Sequence, residues 1–242
     1  YTDYINMTVH RPLVREVNAV FDFIEKPYTP VNFKELLVSP NDMRKRLIAL
    51  INKEIKNKEQ GKEAYILAKV NHITDRALIE KLYEASTAGV QVELVVRGNC
   101  SLVTGIAGIS ENIHVRSIVG NFLEHSRIFY FYNDGFEDVY MGSADWMPRN
   151  LDRRVEIVFP VEDERIKEEI MHVLDLEFRD NVKAHILQPS GLYEKQDKRG
   201  KTLINSQMEF CKEAQQKAKK QKREEKKHTR VFIPAEPVAD PE

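Results

Sequence analysis

With 242 residues, 42% of them hydrophobic and 31% charged, the chain is long enough to bury a substantial core in one or two domains. Its 37 basic and 38 acidic residues nearly cancel to a formal charge of −1, which argues against a general nucleic-acid or membrane-surface binder. Two cysteines, Cys100 and Cys211, lie far apart without ligand spacing, so a reduced compartment is expected rather than a disulfide or zinc site, and no apolar run is long enough to span a bilayer.

From Tyr1 to about Pro40 the chain is punctuated by Pro12, Pro27, Pro30 and Pro40, and only Val14 to Ile24 has helical spacing, in Val17, Val20, Phe21 and Ile24. A compact domain is expected from there: residues 1–35 lead in, 36–190 form the domain and 191–242 form a polar tail. Ser39-Pro40-Asn41-Asp42 reads as a helix start, with a capping serine, followed by Leu47, Ile48, Ile51 and Ile55 on one face. Ala64 to Val70 reads as a strand. Thr74 is placed to cap a second helix bearing Leu78, Leu82 and Ala85, with Gly89 at its end, and Val90 to Val96 is a strand that stops at Arg97. A strand, a helix and a strand in so short a span make a βαβ unit, whose ligands collect at the carboxyl ends of the strands, where Arg97 sits.

The segment Gly98 to Ser110 carries Gly98, Gly105 and Gly108, consistent with either a backbone cradle for phosphate or a plain connection; it lacks the lysine followed by Ser or Thr of a P-loop. Asn112 to Val119 reads as a strand with His114 and Arg116. Past Glu156, Ile157 to Val161 completes the sheet, and Asp163 caps a helix to about Asp180 with Ile166, Ile170, Val173, Leu174 and Phe178 on one stripe. His114, His172 and His185 are read as structural or surface histidines. Gln215 to Lys227 lacks an apolar face and is expected as a solvated helix or disordered, and Val231 to Glu242 as disordered.

The most informative stretch is Gly120 to Glu156, which sets His125, Arg127, Arg149, Arg153, Arg154, Asp145, Asp152 and Glu156 among apolar, aromatic and β-branched residues. His125 and Arg127 share one face of a strand, while Glu124 and Ser126 point the other way. A second strand, Asp138 to Met141, runs into Gly142-Ser143-Ala144-Asp145, whose glycine would admit a ligand to the backbone. Guanidinium forks bind phosphate in bidentate fashion, and a neutral imidazole can attack phosphorus or hand on a proton if a carboxylate holds its other nitrogen. Asp145 and Glu156 are the candidate carboxylates. The pattern is a phosphate-handling one.

This segment, with Val95-Val96-Arg97-Gly98, Ser110-Glu111-Asn112-Ile113 and Arg116-Ser117-Ile118-Val119-Gly120, resembles the C-terminal catalytic part of bacterial polyphosphate kinases, over Tyr1 to about Leu187. More distantly it is similar to the phospholipase D superfamily, whose H-x-K and G-S-x-N recur as H-x-R and G-S-x-D. The resemblance implies an α/β fold with a phospholipase D-like mixed sheet flanked by helices. It implies reversible transfer of the terminal phosphate of ATP to inorganic polyphosphate through a phosphohistidine. It places the nucleotide-contacting tyrosine at Tyr1 in Tyr1-Thr2-Asp3, the nucleotide-binding arginine at Arg97, the second active-site histidine at His125, which also contacts ATP, and further active-site positions at Arg154 and Glu156; Arg127 joins them as a phosphate holder.

The family's phosphorylated histidine, in an I-H-x-K segment, and its magnesium-holding arginines belong upstream of that tyrosine, so Mg²⁺ is expected to enter with ATP. The chain opens on Tyr-Thr-Asp and is read as part of a longer protein. Expected partners are ATP or ADP, inorganic polyphosphate, the N-terminal part of the same enzyme and further copies in a homo-oligomer, with no nucleic acid, in a cytoplasmic setting where membrane association stays open. Two other readings remain: a phospholipase D-type phosphodiesterase, and a noncatalytic polyphosphate-binding module.

Overall fold

The structure, a computed structural model, describes residues 4–26, 28 and 30–228. It divides into two compact units, Tyr1–Asn205 and Ser206–Glu242.

The first unit is built on one nine-stranded mixed sheet. Its strands are β1 (Leu37–Ser39), β2 (Tyr65–Val70), β3 (Gln91–Val96), β4 (Ile113–Ile118), β5 (Arg127–Phe131), β6 (Asp138–Gly142), β7 (Glu156–Val161), β8 (Ala184–Leu187) and β9 (Tyr193–Lys195). They lie in the order β1-β7-β6-β5-β2-β3-β4-β8-β9. β2, β3 and β4 run parallel and every other neighbour pairs antiparallel. The helices are α1 (Arg11–Glu25), α2 (Met43–Glu59), α3 (Arg76–Thr87), α4 (Pro148–Asp152) and α5 (Glu164–Arg179).

Side-chain alternation along the strands divides the core between the two faces of the sheet. Ile66, Ala68 and Val70 of β2, Val92, Leu94 and Val96 of β3, and Phe129 and Phe131 of β5 pack with Met43, Leu47 and Ile51 of α2 and Leu78 and Leu82 of α3. Trp146 joins this layer, stacked on Phe129 with centroids 5.5 Å apart. The intervening Ile128 and Tyr130 go to the other face, against Ile170 and Leu174 of α5. Leu13 and Val20 of α1 cover Phe33, Leu36 and Val38 at the β1 edge. Glu16 fastens that helix by accepting the N–H groups of Lys34, Glu35 and Leu36 at 2.7, 3.0 and 2.8 Å.

Element boundaries depart from the sequence expectations where tertiary bonding takes over. Ser39 does not cap α2: it ends β1, pairs with Glu156 and donates its hydroxyl to the Asn150 carbonyl at 2.5 Å, and the helix begins at Met43 after Asp42. Thr74 is not a cap either. Its N–H bonds Trp146 O, and the next residue, Asp75, receives Leu78 N–H. On α1 the expected apolar face is largely exposed: Val20 is buried, whereas Phe21 and Ile24 face solvent and Leu13 takes the inward position. The short strands β1, β8 and β9 follow from pairing with β7, β4 and each other rather than from local periodicity. Asp163 caps α5 as expected, accepting from Arg165 N and Ile166 N.

The second unit holds one helix, α6 (Ser206–His228), whose side chains are exposed from Gln215 to Glu225. No helix among the described residues is long and apolar enough to cross a membrane.

One buried carboxylate ties the α2 layer to the opposite end of the sheet from the site. Glu54 accepts the N–H of Tyr65 at 3.2 Å and of Asn133 at 2.7 Å, and burial raises its carboxyl above the usual range. Truncation leaves the buried Asn133 N–H and the partly buried Tyr65 N–H without this acceptor. Glu54→Ala should therefore lose about 2–4 kcal/mol in urea unfolding, against under ~0.5 kcal/mol for the exposed Glu59→Ala.

Candidate functional site

The sheet gathers five chain segments at one end. β2 and β3 run parallel, so their carboxyl ends, at Asn71 and Arg97, lie together. β5 is antiparallel to β2 with Lys69 opposite Ile128, which brings the start of β5, and His125 before it, to the same end. Arg127 pairs with Gly142 at the end of β6, and Gly142 with Val158, so Ser143 to Asp145 and Glu156 arrive there as well. The carboxyl ends of parallel strands are where ligands of such sheets bind.

Asp145 organises this end. It is buried, and its Oδ1 accepts from Asn71 N at 2.7 Å, His72 N at 3.3 Å and Arg127 Nε at 3.3 Å, while Oδ2 takes Arg127 Nη2 at 3.1 Å. A carboxylate in so dry a place needs that many donors, and a guanidinium in fork geometry supplies the compensating charge. Asn71 passes the arrangement on: its Oδ1 accepts from Arg97 Nε at 2.7 Å. Arg97, Asn71, Asp145 and Arg127 thus form one bonded chain across the ends of four adjacent strands, β3, β2, β5 and β6. Among the described residues the two Nη groups of Arg97 have no protein acceptor, which leaves the open side of its fork for a ligand anion.

His125 is held by Arg127. The arginine Nη1 donates to the His125 carbonyl at 2.7 Å and lies 3.0 Å from Nδ1 and 3.2 Å from Nε2 of the ring. Near-equal approach to both nitrogens is possible only over the ring face, because an in-plane approach would drive Nη1 into Cε1. Neither of the two expected carboxylates, Asp145 or Glu156, backs the His125 ring. Asp145 is engaged by Arg127 and two backbone amides, and Glu156 accepts from Ser143 Oγ at 2.5 Å and Asn150 Nδ2 at 2.6 Å. A fixed guanidinium lies against the imidazole, itself tied to Asp145.

Glu156 sits in a second cluster, two strands along. Ser143 and Asn150 occupy its oxygens, and Arg154, exposed, approaches Oε1 at 4.0 Å. The Arg149, Arg153 and Arg154 guanidiniums lie in and just after α4 on the exposed rim. That rim is anchored by a residue the sequence did not single out. Arg44 of α2 bonds Asp152 at 2.5 and 2.6 Å and Asp75 at 2.8 Å, and is thereby held above its usual range, chiefly by Asp152. Asp152 is correspondingly lowered by Arg44.

Gly142 is required by packing rather than by a ligand. A Cβ there would strike the Ile157 carbonyl oxygen and come within 2.7 Å of Val158 Cα, so the close approach is to β7 and not to substrate. In the glycine-rich segment after Arg97 two of the three glycine N–H groups are already used, Gly98 N–H by Asn71 O and Gly105 N–H by Ser110 O. The second H-x-R is structural. His114 pairs with Glu93 at 3.1 Å, and Arg116 bonds Phe178 O with its guanidinium 5.2 Å from that ring. His185 meets Lys183 O at 3.0 Å.

Of the expected site residues, Arg97, His125 and Arg127 belong to one network, Arg154 and Glu156 lie beside it, and Tyr1 falls outside the described residues. Sequence reasoning missed Asn71, His72, Asn150 and Arg44. The end-of-strand logic that found Arg97 applies equally to Asn71, one residue past β2, and to His72, whose Nδ1 accepts Asn99 N–H at 3.0 Å. Among the described residues no group of three His, Cys, Asp or Glu side chains is placed to hold a metal ion. Asp145 and Glu156 are both already engaged by protein donors.

Comparison with known proteins agrees with the geometry. A family model described as "Polyphosphate kinase C-terminal domain 2" matches residues 36–207. Polyphosphate kinase of Vibrio cholerae is 47% identical over 184 residues, 76% of this chain and 26% of that protein. The Vibrio vulnificus enzyme is 44% identical over 225 residues, 92% of this chain and 32% of that protein. The crystal structure of polyphosphate kinase from Porphyromonas gingivalis superposes with a TM-score of 0.84 at 36% identity, covering 88% of this chain and 33% of that one. The chain spans about a quarter to a third of the length of these relatives. It belongs to the polyphosphate kinase family, and residues 36–207 are that family's C-terminal domain 2.

Proposed function

We propose that this chain supplies the phosphate-clamping half of a polyphosphate kinase active site, acting in reversible transfer of the terminal phosphate of ATP to inorganic polyphosphate. The bonded chain Arg97–Asn71–Asp145–Arg127 with His125 against it is the observation that carries this reading. In the forward direction the bond from the γ-phosphorus to its bridging oxygen breaks, ADP leaves, and a P–N bond forms to a histidine supplied by another part of the enzyme. That P–N bond then breaks as the terminal oxygen of polyphosphate attacks. Negative charge spreads over the equatorial oxygens while the phosphoryl group is in flight, and preorganised guanidiniums stabilise it at no reorganisation cost. Arg97 and Arg127 are given that role, with Arg154 at the rim.

His125, against a guanidinium, is given the transfer of a proton to or from the bridging oxygen. Magnesium is proposed to arrive bound to the nucleotide. The nucleophilic histidine is assigned outside residues 4–228, so the chain by itself is not expected to turn over.

Incubation of the chain with γ-labelled ATP and magnesium should leave no acid-labile phosphate on the protein, and the complete enzyme should acquire it. In the complete enzyme His125→Ala should lower transfer about 10²- to 10⁴-fold. Label on this chain that vanishes in His125→Ala would make His125 the covalent carrier and reverse the roles.

A second prediction separates positioning from net charge. Asp145→Asn adds a positive increment, which by simple attraction strengthens anion binding. If Asp145 instead aims Arg127, tripolyphosphate affinity of the chain should fall about tenfold, a change worth ~1.4 kcal/mol, as measured by titration calorimetry.

A further inference from the structure

Behind the site, on the face covered by α5, three charged side chains are buried together. Lys69 of β2 is 2% exposed, Glu124 4% and Glu177 of α5 1%. The Lys69 ammonium donates to Glu124 Oε2 at 2.8 Å and, over a shorter distance, to Glu177 Oε1. Removing three charges from water is costly, and a hydrophobic trio of the same volume would serve stability as well or better. The phosphate chemistry makes no use of them, so their retention calls for another explanation.

Their place in the chain supplies one. Lys69 lies two residues before Asn71, whose N–H is bound by Asp145. Glu124 is joined to His125 by a peptide bond, and its side chain points to the face opposite Arg127. The two backbone segments that flank the phosphate clamp are therefore fastened to one buried cluster on the far side of the sheet, and α5 closes it with Glu177. We propose that the Lys69–Glu124–Glu177 cluster is a second positioning device for His125 beside Arg127, holding the Glu124–His125 backbone from behind the sheet and altering that hold when it exchanges one proton with solvent. The proposal rests on the phosphotransfer reading of His125.

The electrostatics agree in sign. Burial pushes the Glu177 carboxyl up to about 7, Lys69 opposes the shift and Glu124, a like charge, adds to it. Lys69 is held above its usual range, the two carboxylates outweighing the effect of burial. From β4, Arg116 lies over the Phe178 ring and bonds its carbonyl; on β5, Tyr130 gives its hydroxyl to Glu137. On α5 itself Arg179 pairs with Asp175, and Asp180, just past the helix, binds the N–H groups of Val182, Lys183 and Ala184. The charged groups acting on Glu177 are Lys69 and Glu124. Below pH 7 a protonated Glu177 relieves the like-charge repulsion with Glu124, and above it two carboxylates face Lys69. Because the folded value is raised above the ordinary 4.5, the stabilisation is fully present at low pH and is lost as pH rises from about 4.5 through about 7.

The test uses the whole chain without nucleotide, so its outcome is independent of whether phosphate transfer is demonstrated. Ring signals of His125, identified by their loss in His125→Ala, and the Glu177 carboxyl carbon are followed by NMR from pH 5 to 9. The expected result is a carboxyl inflection near pH 7 that reappears as a second inflection in the His125 ring signals. In Glu177→Gln that second inflection should vanish while the ring's own titration remains, and the fall in melting temperature between pH 5 and 8 should flatten. A Glu177 carboxyl with no titration between pH 6 and 8 in the unmodified chain overturns the proposal, whether or not the variant folds. So does a His125 titration identical in the two proteins.

Discussion

The site depends on one buried carboxylate. Asp145 sits beyond β6 with its oxygens committed to two backbone amides past β2 and to the Arg127 fork on β5. An aspartate in that position is tolerable only when saturated with donors and paired with a cation, and meeting that requirement aligns three segments of chain. Arg127 in turn fixes the His125 carbonyl and ring, and Asn71 fixes Arg97. The groups proposed to face phosphate are thus set before any ligand arrives, the condition under which guanidiniums stabilise transferring charge most effectively.

The sheet makes this possible by mixing strand directions. Parallel pairing of β2 with β3 sends Arg97 to the carboxyl end of the sheet, and antiparallel pairing of β5 with β2 sends the start of β5 to the same place. A wholly parallel or wholly antiparallel sheet would divide those residues between opposite ends. Gly142 permits β6 and β7 to approach closely enough for Ser143 and Glu156 to bond.

The repeating parts of the fold were legible from the amino-acid sequence: β2, α3, β3 and α5 follow from apolar periodicity, and each lies within a residue or two of its expected bounds. His125 and Arg127 were legible because charge in a strand-like run is costly and points to a use, and Arg97 because it ends a βαβ strand. The bonds between them were not. Asn150 is a small neutral amide whose importance lies in what it faces, and nothing local marks it, while Asn71 carries only its place at a strand end. The same holds for Ser39, which looks like a helix cap until β1 pairs with β7. Asp145 and Glu156 were the expected carboxylates for His125; the structure gives Asp145 to Arg127 and Glu156 to Ser143 and Asn150, and sets the Arg127 guanidinium against the imidazole.

If Asp145 and Asn71 make Arg97 and Arg127 parts of one clamp, both arginines grip the same anion and their contributions are coupled. The most direct test is a double-mutant cycle of tripolyphosphate affinity in Arg97→Gln, Arg127→Gln and the double variant, at fixed ionic strength. A shared clamp predicts that each single variant loses about tenfold or more and that the double loses clearly less than the sum of the two free-energy losses. Losses that add strictly, or single variants that bind as tightly as the unmodified chain, would contradict a common phosphate clamp built on Asp145.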